Sequence, residues 1–137
     1  MKIESEQEML DFGVKVAQEL GERGVNVVEL IGDVGVGKTT LTRGLARALL
    51  VKEPVTSPSF TISKSYATGD GRVLTHYDFY RLGDVGLMEE DLGEKLADAG
   101  QIVVIEWGEA VKDLLPEKRV RIQMRLNDDG SRDIIMA

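Results

Sequence analysis

Residues 32–39 read Gly32-Asp33-Val34-Gly35-Val36-Gly37-Lys38-Thr39. This stretch fits the pattern G-x-x-x-x-G-K-[ST] at every fixed position, and the pattern is typical of loops that bind phosphate. Glycines let the backbone approach an anion closely, and the N-terminus of a following helix points its N–H groups at that anion. In such a loop, Lys38 is expected to reach the β- and γ-phosphates of a nucleotide, and the Thr39 hydroxyl to hold Mg²⁺.

The sequence on either side of this loop has the character that phosphate binding requires. Upstream, residues 25–31 form a β-branched run that predicts a strand. Downstream, leucines recur every fourth position, which predicts a helix over residues 40–50. A glycine-rich turn that merely ends a strand is the alternative, and the strand-loop-helix order argues against it. Nucleotide contacts are therefore predicted along the whole stretch from Gly32 to Thr40.

Composition limits the remaining classes of protein. A length of 137 residues predicts one domain, residues 1–137. The chain has no cysteine, which excludes disulfides and thiolate metal sites, and its one histidine disfavours a zinc site. The net charge of −7 argues against direct binding of nucleic acid, although work on RNA through a basic partner stays open. With no signal peptide or membrane span in the sequence, we expect a cytoplasmic protein.

Periodicity predicts the other elements. Ser5 and Glu8 fit a capping box that opens an amphipathic first helix, with glycines at 21 and 24 ending it. Residues 62–67 and 73–80 predict a hairpin joined through an Asp-Gly pair. Strict alternation over 119–126 and a last strand at 133–136 predict a terminal antiparallel hairpin with one wet face.

Two acidic residues stand where a strand pattern disfavours them. Asp78 lies in a strand rich in aromatics, which favours a role in metal binding over a solvated edge position. Glu106 ends the apolar run 102–105, as expected of a carboxylate at the C-terminal end of a buried parallel strand. Ligands bind outside those strand ends, so Glu106 is predicted to orient a water, act as a base or hold Mg²⁺. A helix-capping acid is the alternative.

Three further features leave more than one interpretation open. Residues 55–61 are rich in hydroxyls, and the segment is either a switch that senses the γ-phosphate or its Mg²⁺, or an ordinary turn. His76 is interpreted as a strand residue with its hydrogen bonds satisfied rather than an acid–base group. Trp107, the only tryptophan, is interpreted first as a core residue and second as a nucleotide or partner contact.

Four motifs in this order also resemble a known family. They are Gly32 through Thr40, Val55-Thr56-Ser57-Pro58-Ser59-Phe60, His76-Tyr77-Asp78-Phe79-Tyr80-Arg81-Leu82, and Ile105-Glu106-Trp107. Together they resemble the TsaE family, older name YjeE, the small ATPase of the bacterial machinery that makes threonylcarbamoyladenosine in tRNA. The phosphate loop alone is generic to many nucleotide hydrolases, whereas the other three motifs are specific.

The resemblance implies a fold and an activity. The fold would be α/β, a three-layer phosphate-loop NTPase with a parallel sheet core and antiparallel flanking strands. The activity would be Mg²⁺-dependent ATP binding and weak ATP hydrolysis to ADP. The partners would be the TsaD and TsaB proteins, with tRNA reached only through their complex. Hydrolysis would regulate or reset that complex rather than modify RNA directly.

The resemblance also assigns roles to residues. Lys38 and Thr39 would bind phosphate and Mg²⁺, Asp78 and Glu106 would complete the metal and water site, and Trp107 would flank it. The switch-like segment would comprise Ser57, Pro58, Ser59 and Phe60. The family usually has threonine at position 59, so this chain keeps the hydroxyl and loses the methyl group.

A cation that completes the site is harder to identify from the sequence. Arg81 follows the strand of Asp78 and is the local candidate by proximity along the chain. A small-molecule kinase is the main alternative function, but it needs a cationic lid. Arg43 and Arg47 fall on the helix after the loop and cannot supply one. A GTPase is disfavoured because no Asn-Lys-x-Asp segment is present.

Overall fold

The described residues form seven strands and three α-helices. The computed structural model describes residues 1–58, 62–80 and 86–137. The strands are β1 (Lys2–Ile3), β2 (Val27–Ile31), β3 (Ser63–Ala67), β4 (Val73–Asp78), β5 (Gln101–Glu106), β6 (Val120–Leu126) and β7 (Arg132–Met136). The helices are α1 (Glu6–Arg23), α2 (Lys38–Ala48) and α3 (Gly86–Ala97), with a 3₁₀ helix at Gly108–Leu114.

All seven strands join one mixed sheet in the order β1-β7-β6-β2-β5-β4-β3. The central strands β6, β2, β5 and β4 run parallel to one another. The β3–β4 and β6–β7 hairpins and the β1–β7 pair are antiparallel and lie on the flanks. This arrangement confirms the predicted parallel core with antiparallel flanking strands.

Helices cover both faces of the sheet, which gives the three layers that were predicted. On one face, α1 and α2 pack on a core that includes Val16, Leu41 and Leu45, all with 0% exposure. On the other face, α3 and the 3₁₀ helix pack through residues such as Leu92 and Val111 on a second core. The central strand β5 is buried along its whole length, because both of its faces are covered.

Helix ends follow the local signals in the sequence. The Ser5 side chain caps α1 by accepting a hydrogen bond from the Glu8 N–H. Gly24, in the left-handed conformation, ends the helix, whereas Gly21 lies inside it and does not stop it. Of the residues described, none belongs to a helix with enough length and apolar character to cross a membrane.

The structure corrects the sequence-based predictions in several places. Helix α2 begins at Lys38, two residues before the predicted start, so the lysine lies in the first helical turn. The segment after β5 forms a 3₁₀ helix, Gly108–Leu114, with an irregular backbone at Val111. Strand β1 was not predicted, because two residues are too short for any periodic pattern.

Candidate functional site

The phosphate-loop sequence lies between β2 and α2, as its pattern predicts. Gly35 and Gly37 have φ angles of 83° and 106°, which side chains other than glycine rarely adopt. Gly37 forms the N-cap of α2 and offers no side chain to the free N–H groups of the first turn. Those N–H groups and the positive end of the helix dipole therefore suit an anion.

 The cavity beside the phosphate loop has a volume of 660 Å³ and collects residues from five separate parts of the chain. It is lined by Val34, Gly35, Gly37, Lys38, Thr39, Thr40, Ser57, Asp78, Tyr80, Glu106, Trp107 and Arg132. Most of the predicted site residues therefore meet at one place, the C-terminal end of the parallel strands.

The other predicted loop residues line a groove next to this cavity. Gly32, Asp33 and Val36 border a space of 970 Å³ above the ends of β6 and β7. Val34 and Trp107 border both spaces, so the groove and the cavity are continuous along the loop. The residues of the loop are thus divided between the groove and the cavity.

Lys38 lies at the bottom of the cavity and is almost fully buried. Its Nζ donates a hydrogen bond to the Gly32 carbonyl oxygen at 2.5 Å, across the two ends of the loop. The same Nζ lies 3.6 Å from Glu106 Oε1 and 4.3 Å from the centre of the Trp107 ring. A buried ammonium group needs such partners, and a carboxylate and an aromatic face supply them.

Glu106 is held from two sides at the end of β5. Its Oε1 faces Lys38, while its Oε2 lies 2.5 Å from Nε2 of His76. The His76 side chain is fully buried in β4, and within the described part of the chain its Nδ1 has no hydrogen-bond partner. His76 therefore contacts Glu106 in the site. The interpretation from sequence, a strand residue with its hydrogen bonds satisfied, did not include this contact.

Asp78 lies directly beside Glu106, because the two residues are register partners at the ends of β4 and β5. Its Oδ1 accepts a hydrogen bond from the Tyr80 N–H at 3.0 Å. Burial raises the pKa of Asp78 above its ordinary value, and the nearby Glu106 carboxylate adds to the rise. The Tyr80 N–H and the cationic groups of the site oppose it. Positive charge placed beside Asp78, such as a bound cation, would therefore stabilise the ionised form of this carboxylate.

Trp107 is half-buried: it packs against the second core and also lines the cavity. The interpretation as a core residue is therefore met in part, and a nucleotide or partner contact stays a prediction. Its backbone adopts φ 57° and ψ 45°, a left-handed conformation that is uncommon for a bulky residue. The indole packs on the Tyr80 ring at a centroid distance of 4.7 Å and on the Lys38 ammonium group. The unusual backbone thus turns a large aromatic ring toward the phosphate loop.

Arg132 is a cavity residue that the sequence analysis did not identify. Its guanidinium group, at the start of β7, donates to the carbonyl oxygens of Val36 and Gly35 in the loop and of Gly130 in the preceding turn. These contacts bind the last hairpin to the phosphate loop. No local pattern near residue 132 indicates them, because the two segments are 96 residues apart in sequence.

The predicted switch segment is described only in part. Ser57 lines the cavity and Pro58 is buried, which brings the beginning of the segment to the site. Ser59, Phe60 and the candidate cation Arg81 lie outside the described residues. Their predicted roles therefore stay predictions.

The donor set of the cavity fits a magnesium nucleotide. Thr39, Asp78 and Glu106 offer hydroxyl and carboxylate oxygens, the hard ligands that Mg²⁺ prefers. In the described ranges, no three His, Asp or Glu side chains cluster closely enough to hold a metal ion by themselves. That finding is compatible with Mg²⁺, which protein sites usually bind through one or two carboxylates together with substrate phosphates and water.

Comparison with known families gives one consistent match. The family model "Threonylcarbamoyl adenosine biosynthesis protein TsaE" matches residues 3–134. A protein of Haemophilus influenzae, named tRNA threonylcarbamoyladenosine biosynthesis protein TsaE, is 35% identical over 131 residues, covering 93% of this chain and 82% of that protein. Its Treponema pallidum namesake is 39% identical over 102 residues, covering 74% of this chain and 73% of that protein.

Two further matches extend the comparison. The protein with the same name from Streptomyces coelicolor is 46% identical over 91 residues, 64% of this chain, and the match spans 60% of that protein, less than two thirds of its length. The crystal structure of Bacillus subtilis YdiB superposes with a TM-score of 0.74 at 30% identity, covering 100% of this chain and 83% of that one.

Proposed function

The chain belongs to the TsaE family, and from this premise we propose that it binds ATP with Mg²⁺ and hydrolyses it to regulate a TsaD–TsaB complex. In this proposal, the complex makes threonylcarbamoyladenosine in tRNA, and each cycle of hydrolysis resets it. The observation that carries the proposal is the cavity in which Lys38, Thr39, Asp78 and Glu106 meet beside the phosphate loop.

Each of these residues has a role that its position supports. The N–H groups at the start of α2 and the Lys38 ammonium group bind the β- and γ-phosphates. Thr39, Asp78 and Glu106 are the side chains suited to hold Mg²⁺, directly or through water. When bound, Mg²⁺ neutralises charge on the β- and γ-phosphate oxygens.

Glu106 is the residue best placed to orient and deprotonate the attacking water. Its carboxylate ends the buried strand β5 at the cavity and lies beside Lys38. In the proposed reaction, the water oxygen bonds to the γ-phosphorus as the bond to the β–γ bridging oxygen breaks. Glu106 orients that water and accepts its proton, while ADP leaves with the bridging oxygen.

The cations of the cavity support a slow reaction in the isolated chain. Lys38 and Arg132 are the cationic side chains among the described residues that line it. Both are engaged by carbonyl oxygens of the loop itself. Phosphoryl transfer is accelerated by cations placed where charge develops, so a partner that supplies a cation or orders residues 55–61 would stimulate hydrolysis.

The test is steady-state phosphate release by the chain alone and with purified TsaD and TsaB, with and without tRNA. We expect slow release alone and strong stimulation by the partners, because an added cation is worth ~10³–10⁵ in the rate of other nucleotide hydrolases. Glu106→Gln in the same assay controls for contaminating ATPases, since it should abolish the stimulated rate. A rate that is fast alone and indifferent to partners would contradict the proposal and favour a small-molecule kinase.

A further inference from the structure

The buried contact between His76 and Glu106 carries an inference about how the site is organised. We propose that His76 is a positioning residue that donates a hydrogen bond from Nε2 to Glu106 Oε2 and so leaves Oε1 to work in the cavity. The inference rests on the proposed function for its effect on hydrolysis, but the hydrogen bond itself can be tested without nucleotide.

The geometry supports a specific hydrogen bond rather than incidental packing. Nε2 and Oε2 are 2.5 Å apart, and both side chains are almost completely buried. His76 and Glu106 lie on adjacent parallel strands, with His76 paired to Val104 and Glu106 one pleat further along. Both side chains therefore point to the same face of the sheet, which is the face that carries α2 and Lys38.

The surroundings of the ring indicate which nitrogen carries the proton. Within the described residues, Nδ1 is buried without a hydrogen-bond partner. A proton on Nδ1 would therefore be a buried, unsatisfied donor, and it would leave Nε2 with a lone pair facing the carboxylate. A proton on Nε2 makes the hydrogen bond to Glu106 and leaves only an unpaired acceptor at Nδ1. Hence the ring donates and Glu106 accepts.

The two oxygens of Glu106 then have different surroundings. Oε2 is held by a fully buried ring in the central part of the sheet, whereas Oε1 faces the Lys38 ammonium group at 3.6 Å. Lys38 has a second role in the proposed function, because it binds phosphate. When it does so, the bond from His76 still fixes the orientation of the carboxylate, and Oε1 remains directed at the cavity.

This arrangement predicts that His76 affects turnover more than nucleotide binding. In the proposed function the phosphates contact the loop and Lys38, whereas the hydrogen bond of the His76 ring goes to Glu106. Residues that orient a catalytic or metal-binding group from behind typically contribute about 10- to 100-fold to activity.

The first test uses the fact that His76 is the only histidine in the chain. With ¹⁵N-labelled histidine, the ring gives one pair of nitrogen signals, and these report the tautomer in the unmodified protein without nucleotide. We expect the proton on Nε2, and we expect Glu106→Gln to shift the Nε2 signal. The exposed acid Glu117 supplies a matched control, so Glu117→Gln should leave both signals in place.

The second test separates positioning from folding. His76→Gln keeps an amide donor near the place of Nε2, whereas His76→Met fills similar space without a donor. We expect His76→Met to lower the single-turnover rate of ATP hydrolysis about 10- to 100-fold, with nucleotide affinity changed less than about threefold. His76→Gln should recover much of the rate. Affinity is read from the fluorescence of the single tryptophan, Trp107, which lies beside Lys38.

These outcomes separate the inference from the proposed function. A proton on Nδ1, or an Nε2 signal that is insensitive to Glu106→Gln, would overturn the inference whether or not the chain hydrolyses ATP. Equal rates for folded His76→Met and wild type, at a measurable wild-type rate, would also overturn it. If the labelled ring behaves as expected but no ATP is hydrolysed with partners present, the hydrogen bond stands and the proposed function fails.

Discussion

At the residue scale, Lys38 is one of the two cationic side chains among the described residues that line the cavity. Its ammonium group is buried among the Gly32 carbonyl, Glu106 and Trp107. We expect Lys38→Ala to weaken binding of ATP with Mg²⁺ about ten- to a hundredfold, because charge-assisted contacts are worth roughly 1.5–3 kcal/mol each. Calorimetric titration measures the loss. Lys52→Ala removes the same charge from an exposed position and is the matched control; equal affinities for both variants would remove Lys38 from the site.

Asp78 should show opposite effects on stability and on activity. Since burial raises its pKa in the folded protein, its ionisation costs stability, and that cost appears as the pH rises through the raised pKa. We therefore expect Asp78→Asn to be more stable than wild type near neutral pH. The difference should disappear at acidic pH, where Asp78 of the wild type is protonated in both the folded and the unfolded state. The amide oxygen can still accept the bond from the Tyr80 N–H.

The measurement is urea unfolding in EDTA at several values between about pH 4 and pH 8, beside hydrolysis at saturating Mg²⁺. We expect hydrolysis to fall more than nucleotide affinity, because the lost charge lies near the metal and the attacking water. An Asp78→Asn variant that is less stable at every pH would contradict the assigned cost of burial. Wild-type hydrolysis by the variant would exclude Asp78 from catalysis.

Arg132 should contribute to nucleotide binding through the shape of the loop. Its guanidinium group holds the carbonyls of Val36 and Gly35 and so fixes the shape of the phosphate loop. We expect Arg132→Gln to weaken nucleotide binding about tenfold, since hydrogen bonds from a charged group contribute roughly 1.5–3 kcal/mol. Trp107 fluorescence can measure the change. Arg47→Gln, on the exposed last turn of α2, controls for net charge and should bind normally.

Helices α1 and α2 determine the position of the loop at the element scale. They cross where Gly13 and Gly44 bring their backbones together, and a Cβ added at Gly44 would overlap the Leu10 carbonyl. Because α2 begins at Lys38, any displacement of this helix also moves the phosphate-binding residues.

We expect Gly44→Ala to cost about 1–3 kcal/mol of unfolding free energy and to weaken nucleotide binding, because overpacking separates the two helices. Gly93 in α3 is the matched control, since nothing lies within 4 Å of a Cβ added there. Gly93→Ala should stabilise the protein by up to about 1 kcal/mol, because alanine is the better helix former. Urea denaturation distinguishes the two variants, and equal stabilities would refute the close-packing argument.

Local patterns predicted most elements, because each signal needs only neighbouring residues. The cap at Ser5, the leucine period of α2 and the alternation in β6 are of this kind. The choice between an α-helix and a 3₁₀ helix after Trp107 depends instead on tertiary packing of a short segment. Likewise, Arg119 and Arg121 pair with the buried Glu29 of β2, which lies 90 and 92 positions away in sequence, so no local pattern indicates these ion pairs.

The site was predictable where one strand or one loop carries it. Lys38, Asp78 and Glu106 could be found because strand ends and loop patterns place them at one edge of the sheet. His76 was also within reach, since it lies two residues before Asp78 and so on the same face of β4. The role of Arg132 could not be predicted, because its contact with the loop depends on the position of β7 in the sheet. No periodic pattern in the local sequence indicates that position.

The central position of β2 in the sheet has a consequence for the whole molecule during its synthesis. The loop strand β2 pairs only with β5 and β6, among the described residues, and Arg132 reaches the loop across 96 positions of sequence. The ribosome therefore makes the phosphate loop long before any strand that can hold it. Contacts this distant in sequence also favour slow folding.

We expect the growing chain to acquire its nucleotide site in one late step. Stalled nascent chains of increasing length should remain sensitive to protease until β6 and β7 have left the ribosome, and ATP should protect only the longest of them. A protected intermediate that ends before Val120 would contradict this expectation, because it would show that the chain folds without β6 and β7. If the site forms late, as we expect, cells have to shield the unpaired, apolar strand β2 for most of the time that translation takes.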